Sequence, residues 1–480
     1  MDSLSATKFL RLLKEKFPHT PTDKQDQALS AMADFLVEGD TRQIFLLKGY
    51  AGTGKTTLLG TLIKNLWHIR KKALLMAPTG RAAKVMSAYT GAKAHTIHRQ
   101  IYFPKKDRSG GVRFTLAPNR HRNTVFLVDE ASMIPDTPVD TAKGNTNSLL
   151  DDLISFVSSG HKCQLILIGD TAQLPPVKLS LSPALDASRL ELQYGKDVKE
   201  IELDEVMRQA EGSGILMNAT RLRETIRELL SEANFRFELS GYSDIVRLTD
   251  GYEIQDALND AFSSSGKEET AVIVRSNKRA NLYNQNIRSR LLFLENELSV
   301  GDYMMVVKNN YFWLKSSSEA GFIANGDILE ILEIFAFKDL YGFRFAEVRV
   351  RMVDYPGMEP FETVLLLDTI ATDGPSLTYE DSNRLYQEVM KDYQHEKSGY
   401  KKFLAIKNNS FFNALQVKFS YAITCHKAQG GQWETVFAEQ PYLSGPPDRE
   451  YLRWLYTAVT RARNRLYLIG FQSDFFLNDE

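Results

Sequence analysis

The sequence predicts an α/β chain of two parallel-sheet domains, one carrying a β-hairpin insertion and the other a small β-barrel insertion. Three observations lead there. In the first half, apolar runs such as IFLL (Ile44 to Leu47), ALLMA, TVFLV and QLILI each end in a polar loop, and several feed a helically spaced segment, the pattern of buried parallel strands. The same style returns in ETAVIVRSNKRANLYNQNIRSRLL and, far along the chain, in LQVKFSYAITCHKAQGGQWETVFAE and YLRWLYTAVTRARNRLYLIG. Between them, FIANGDILEILEIF, FRFAEVRVRMVDY and ETVLLLDTI alternate as short β runs, and Tyr379 to Lys407 is charged and helical. The expected division is 1–200 for the first domain, with its hairpin at about 99–120, and 201–310 for the start of the second. The barrel and its helical arm take 311–409, and 410–480 completes the second domain.

Composition narrows the class. The chain has 480 residues, 43% hydrophobic and 25% charged, with a formal net charge of −1. That suits several domains with sizeable cores and excludes a polybasic coating protein, so any nucleic-acid surface must come from local clusters. Cys163 and Cys425 are far apart and sit in no metal-ligand pattern. The N-terminus mixes acids and bases through a short amphipathic segment, and no apolar run approaches membrane-spanning length. A soluble cytoplasmic protein with a reduced interior and no membrane partner is expected.

The strongest local signal is GYAGTGKTT, Gly49 to Thr57, between the IFLL strand and the helix TLLGTLIKNLWHI. Strand, glycine-rich loop and helix form a phosphate-binding loop: with no side chains at Gly49, Gly52 and Gly54, backbone N–H groups of the loop, including Ala51 and Thr53, turn toward one anion. Lys55 would reach the β and γ phosphates, and the Thr56 hydroxyl, followed by Thr57, would complete a Mg2+ shell. Upstream, Thr22 caps a helix and Gly39 stops it. Gln25 in that helix reads, taken alone, as a solvated residue; a second reading is an amide that reads the edge of adenine.

Pro78-Thr79-Gly80 turns a strand into the next helix, where an open α/β sheet places ligand contacts. His95 and His98 lack a third ligand, so zinc is not expected. Ile101 to Pro118 reads as a hairpin about a Ser-Gly-Gly turn, with Lys105, Lys106, Arg108 and Arg113 beside Tyr102, Phe103 and Phe114; such residues hold phosphates and wedge or stack against bases, or form a solvated face. TVFLVDEAS ends in Asp129 and Glu130, one carboxylate for a metal's water shell and one to deprotonate the attacking water. Pro135 to Asn147 is a polar surface loop. CQLILIGDTAQLPPV supplies Gln173, a neutral group able to sense a γ-phosphate, with Pro175-Pro176 stiffening the backbone beyond it. Arg208 follows a strand, and Arg461 lies in TAVTRARNR. Each reads as a surface arginine or as a group that neutralises transition-state charge on the γ-phosphate. Asn277 lies at a strand-to-helix turn, and Thr424, His426, Lys427 and Gln429 crowd another, where hydroxyl, imidazole and ammonium together can clamp a phosphodiester.

Taken in order, these segments resemble the superfamily 1 DNA helicases, in their RecD-like and Pif1-like 5′-to-3′ branch. GYAGTGKT is similar to motif I, APTGRAAK to motif Ia, TIH to Ib, DEAS to II, GDTAQLPPV to III, and ITCHKAQG and TAVTRAR to V and VI. The resemblance implies two RecA-like domains, 1A and 2A, with the hairpin as a strand-separation pin in 1B (Tyr102, Phe103, Phe114) and an SH3-like barrel as 2B. It implies ATP and Mg2+ as cofactors and ATP-driven unwinding. By motif, Gln25 would recognise adenine, Gly49 to Thr57 the phosphates, Thr56 and Asp129 the metal, and Glu130 would be the base. Gln173 would be the sensor, and Arg208 and Arg461 the arginine fingers. Pro78, Thr79, His98, Asn277, Thr424, His426 and Lys427 would contact single-stranded DNA or a single-strand/duplex junction. Single-strand-binding, replication or repair proteins, and a monomeric state, are implied in the same way. Where related helicases often carry a glutamate after the motif V glycines, this chain has Gln432. An RNA helicase, a protein-displacing translocase, or a nucleotide-switched binding module are the rival readings. No second acidic metal cluster supports a fused nuclease.

Overall fold

The computed structural model describes residues 4–106, 112–137, 147–205, 212–228, 235–315 and 318–477, with only the backbone of 104–106 and 112–114 in the hairpin. The hairpin's Ser-Gly-Gly turn, most of the Pro135–Asn147 loop, and Arg208 lie outside the described residues, as do the side chains of Lys105, Lys106, Arg108, Arg113 and Phe114.

The first eight strands are β1 (Gln43–Gly49), β2 (Lys72–Ala77), β3 (Ala94–Thr96), β4 (Tyr102–Lys106), β5 (Val112–Leu116), β6 (Thr124–Val128), β7 (Gln164–Gly169) and β8 (Asp197–Leu203). Six of them form a sheet in the order β3-β2-β6-β7-β1-β8, parallel throughout. Pleating explains the continuous apolar runs. Ile44 and Leu46 of β1 pack into one core with Phe126, Val128 and the Leu149–Ser158 helix, while Phe45 and Leu47 face the helices Ala6–Lys16, Asp23–Glu38 and Lys55–Asn65 on the other side. β8 reaches Leu203, paired with Gly49, so this sheet ends three residues beyond the expected boundary at 200.

The hairpin β4–β5 pairs Tyr102 with Leu116 through Lys106 with Val112, inside the expected 99–120 span. β9 (Ile245–Leu248) and β10 (Thr270–Val274) open the second lobe. The barrel follows with β11 (Tyr303–Val306), β12 (Ile328–Leu340), β13 (Phe343–Met352), β14 (Phe361–Leu366) and β15 (Leu415–Phe419), before β16 (Ala422–Thr424), β17 (Trp433–Glu439) and β18 (Ala462–Ile469). The second sheet runs β16-β10-β17-β18-β9, again all parallel. The barrel closes because its entering strand β11 pairs with its leaving strand β15, so its walls reach beyond 311–409 on both sides. The helices Tyr379–Asp392 and Gly399–Lys407 form the arm, their Leu385, Val389 and Ile406 packed against Phe343, Phe345, Val364 and Leu366 of the barrel.

The two lobes are packed together. Tyr50, Ala172 and Leu174 of the first lobe bury within the apolar core of the second. Among the described residues no helix is long and apolar enough to cross a membrane.

Candidate functional site

The strand order explains how distant motifs meet. β6, β7 and β1 lie side by side, so their carboxyl ends bring Asp129-Glu130, Gly169-Asp170 and the Gly49–Thr57 loop together. The second lobe turns its strands' amino ends to the same place: Glu269 before β10, Trp433 at the start of β17 and Arg461 before β18. Between the lobes is a cleft of about 770 Å³ lined by Lys55, Thr56, Asp129, Glu130 and Gln173 from one side and Arg461 from the other.

In the loop, Gly52 (φ 77°) and Gly54 (φ 82°) take the left-handed conformation, which side chains disfavour. Gly49 serves differently: a Cβ there would stand 3.1 Å from the Lys55 side chain and from Leu203 Cβ. Lys55 Nζ donates to the carbonyls of Gly49 (2.6 Å) and Tyr50 (2.7 Å), and the Thr53 hydroxyl donates to Tyr50 O at 2.9 Å. Thr56 and Thr57 face the cleft.

Gln25 is not solvated; it is 1% exposed. It closes a capping box, accepting from the Thr22 N–H (3.1 Å), and its Nε2 donates to Thr53 O at 3.0 Å, tying that helix to the phosphate loop. Its amide oxygen thus closes the helix cap and its amide nitrogen holds the loop.

Asp129 accepts from the Tyr89 hydroxyl (2.5 Å) and from the Glu130 N–H (2.8 Å). Glu130 has φ 54°, a backbone conformation costing a non-glycine residue about 1–2 kcal/mol, of the sort retained where function demands it. Burial raises its carboxyl to about 7, with Asp129 adding to the rise and the charges of Arg461 and Lys55 opposing it. The Gln173 Oε1 is buried in this cleft with no hydrogen-bond partner among the described residues, an acceptor presented to whatever enters. Arg461 is 3% exposed and held by its own lobe: its guanidinium donates to Thr457 O (3.1 Å), Gly431 O (3.2 Å) and Thr460 Oγ1 (3.2 Å). Hard oxygen donors at Thr56 and Asp129 in one cleft are the chemistry a Mg2+ ion requires.

Cross-lobe hydrogen bonds join this cleft to the rest. The Tyr456 hydroxyl, on the helix Arg449–Val459, accepts from the Ala51 N–H (3.0 Å) and donates to Asp170 (2.7 Å). Leu174 donates through N–H to Thr457 Oγ1 (2.9 Å) and accepts from Gln429 Nε2 (2.6 Å). Tyr456 lies just before the TAVTRAR segment and Thr457 opens it, but nothing in their type or spacing points to a partner in the other lobe, so sequence reasoning missed both contacts.

A second groove, of about 340 Å³, is lined by Thr79, Pro176 and Val177 from the first lobe, His426 and Lys427 from the second, and Asn325 of the barrel. Thr79 caps the Gly80–Thr90 helix through the Ala82 N–H (3.2 Å), with Pro78 just before it. Lys427, whose ammonium burial pushes down to about 8, donates to Asn325 Oδ1, and burial likewise lowers His426. Asn277, Thr424 and Lys427 border one adjoining crevice, and Asn277 Nδ2 donates to Asp373 O at 3.1 Å. His98 stands apart from these. Its ring packs against Tyr102 and Phe322 at 5.7 and 6.3 Å, and burial lowers it to about 4, so it is a neutral ring at the barrel contact.

Of the hairpin aromatics, Phe103 is 38% exposed. Tyr102 corrects the expectation: it is 8% exposed with its hydroxyl donating to Asp152 at 2.8 Å, an anchor at the hairpin base instead of a wedge. The reason is register, because successive residues of β4 face opposite sides.

Residues 22–234 match the AAA domain family and 419–469 the UvrD-like helicase C-terminal domain. The ATP-dependent RecD2 DNA helicase of Deinococcus radiodurans is 25% identical over 445 residues, covering 89% of this chain and 47% of that one. The ATP-dependent DNA helicase dda of Enterobacteria phage T4 is 25% identical over 462 residues, covering 88% and 93%. A crystal structure of Pif1 helicase from Bacteroides in complex with ADP-AlF3 and ssDNA aligns with 96% of this chain and 95% of its own at 15% identity and a TM-score of 0.46. The chain thus spans about half of the first of these relatives and nearly all of the second.

Proposed function

We propose that the chain is a superfamily 1 DNA helicase of the RecD-like and Pif1-like branch, an ATP-driven motor that moves 5′ to 3′ along single-stranded DNA and separates duplex ahead of it; its similarity to two helicases and to a helicase C-terminal domain supports this reading. The observation that carries this reading is one cleft lined by Lys55, Glu130 and Gln173 of one lobe and Arg461 of the other, beside a groove to which both lobes contribute.

In this reading the Gly49–Thr57 loop and Lys55 hold the phosphates, and Glu130 takes the proton of the attacking water. Thr56 and Asp129 would hold Mg2+, which supplies charge neutralisation on the phosphate oxygens. Gln173 orients groups at the γ-phosphate, and Arg461 offsets the charge developing there. Arg208 is proposed as a second arginine at that phosphate. Closure of the lobes on ATP and release after hydrolysis alternate the grip of Pro78 and Thr79 with that of Asn277, Thr424, His426 and Lys427 on the strand. Phe103 would meet the duplex at the junction.

Unwinding of partial duplexes with either a 5′ or a 3′ single-stranded tail, with and without ATP, tests the reading. ATP-dependent strand separation from the 5′-tailed substrate is expected. Activity confined to the 3′-tailed substrate would overturn the polarity, and none on either, despite ATP turnover, would overturn the unwinding function.

A further inference from the structure

Arg81 and Trp433 come from opposite lobes, yet their side chains stack, with the guanidinium carbon 4.0 Å from the centre of the indole. Arg81 lies within the APTGRAAK segment and Trp433 just beyond ITCHKAQG, and neither has a part in the phosphate or strand contacts proposed above. Both side chains line the nucleotide cleft and both line the groove that holds Thr79 and Lys427, so the stacked pair forms part of the wall between the two.

Each partner is fixed to a different working part. Arg81 is the second residue of the helix Gly80–Thr90, whose cap is Thr79, so moving the strand-binding turn moves Arg81. Trp433 opens β17 directly beside Arg461: its N–H donates to the Arg461 carbonyl at 3.0 Å, and two residues back the Gly431 carbonyl accepts from the Arg461 guanidinium at 3.2 Å. The lobes also meet in a way only glycine permits. A Cβ on Gly430 (φ 72°) would stand 2.8 Å from Ala82 Cβ, and one on Gly431 would stand 2.6 Å from the Trp433 ring and 2.9 Å from Arg81 Nε. The two glycines let the second lobe's backbone settle on the start of the Arg81 helix, which brings the indole under the guanidinium. Loss of solvent lowers the half-buried Arg81 guanidinium from its ordinary value, and the charges of Asp354, Glu269 and Glu268 oppose that fall.

We propose that the Arg81–Trp433 stack is the strut by which occupation of the strand-binding groove adjusts Arg461 in the nucleotide cleft, making the two residues positioning residues for DNA-stimulated ATP hydrolysis. The inference rests on the motor reading. A strand pressing on the Thr79 turn displaces the helix start and Arg81 with it. The stack passes that displacement to Trp433, and the backbone bond from Trp433 to Arg461 delivers it to the guanidinium.

The test is steady-state ATP turnover of the full chain against oligo-dT concentration, for wild type, Trp433→Leu, Trp433→Phe and Arg81→Met, with thermal melting of each. Trp433→Leu and Arg81→Met are expected to lower the ratio of DNA-stimulated to DNA-free turnover about tenfold, a usual size for coupling between sites, while half-maximal stimulation stays within about threefold of the wild-type oligo-dT concentration. Trp433→Phe, which keeps an aromatic face, is expected to restore the ratio. A full stimulation ratio in Arg81→Met, or equal loss in Trp433→Phe and Trp433→Leu, would overturn the strut. If Trp433→Leu fails to fold, Arg81→Met decides alone. A wild-type protein that hydrolyses ATP without any response to oligo-dT would instead overturn the motor reading on which the strut depends.

Discussion

Lys427 shows how burial sets the chemistry of a single side chain. Its ammonium is pushed down to about 8 by loss of solvent, and a phosphate in the groove needs it protonated. The sign follows directly: the attraction is present below the depressed pKa and is lost as pH rises through it, whereas an ordinary lysine would stay charged to above 10. Single-stranded DNA affinity, read by fluorescence anisotropy at constant salt, is therefore expected to fall roughly tenfold between about pH 7 and pH 9, the worth of one charge-assisted hydrogen bond. In Lys427→Arg the profile should flatten, because a guanidinium keeps its proton throughout. A flat wild-type profile would show that Lys427 does not hold the strand. At this scale, residue identity was legible where one side chain suffices for the chemistry. Lys55, Glu130 and Gln173 announce themselves by type and spacing. Gln25 did not: its capping-box bonds to Thr22 are local, but its bond to Thr53 depends on a helix packing against a loop more than twenty residues away.

Among the elements, the hairpin β4–β5 makes the sharpest claim. Its pleat buries Tyr102 against Asp152 and turns Phe103 outward, which divides anchoring from contact between adjacent residues. Phe103→Ala is expected to slow unwinding of a tailed duplex several-fold, about what loss of one base-stacking contact of 1–3 kcal/mol allows, with oligo-dT-stimulated ATP turnover kept. Unwinding at the wild-type rate would remove Phe103 from strand separation. Strands, hairpin and arm were readable from the sequence because each is set by a local period: two for the hairpin and barrel strands, unbroken apolar runs for the parallel sheets. The barrel's true extent was not, since closure depends on β11 finding β15 more than a hundred residues later, and an alternating pattern says nothing about which strand completes a ring.

Across the whole molecule the question is what makes two sheets one machine. The first lobe presents strand carboxyl ends and the second presents amino ends, and the contacts that join them are long-range: Tyr456 to Ala51 and Asp170, Gln429 and Thr457 to Leu174. None belongs to a spacing rule, so none was visible before the lobes were seen packed, whereas the motifs they connect were. These bonds hold Arg461 on the same cleft as Lys55, which is the condition for two lobes to share one nucleotide. ATP turnover by Arg461→Ala, in saturating oligo-dT and alongside a nucleotide-binding measurement, tests that condition most directly. A fall of about 10³-fold or more with single-stranded DNA binding preserved is predicted, as for loss of an arginine that stabilises phosphoryl transfer. Turnover within a few-fold of wild type would contradict the shared site.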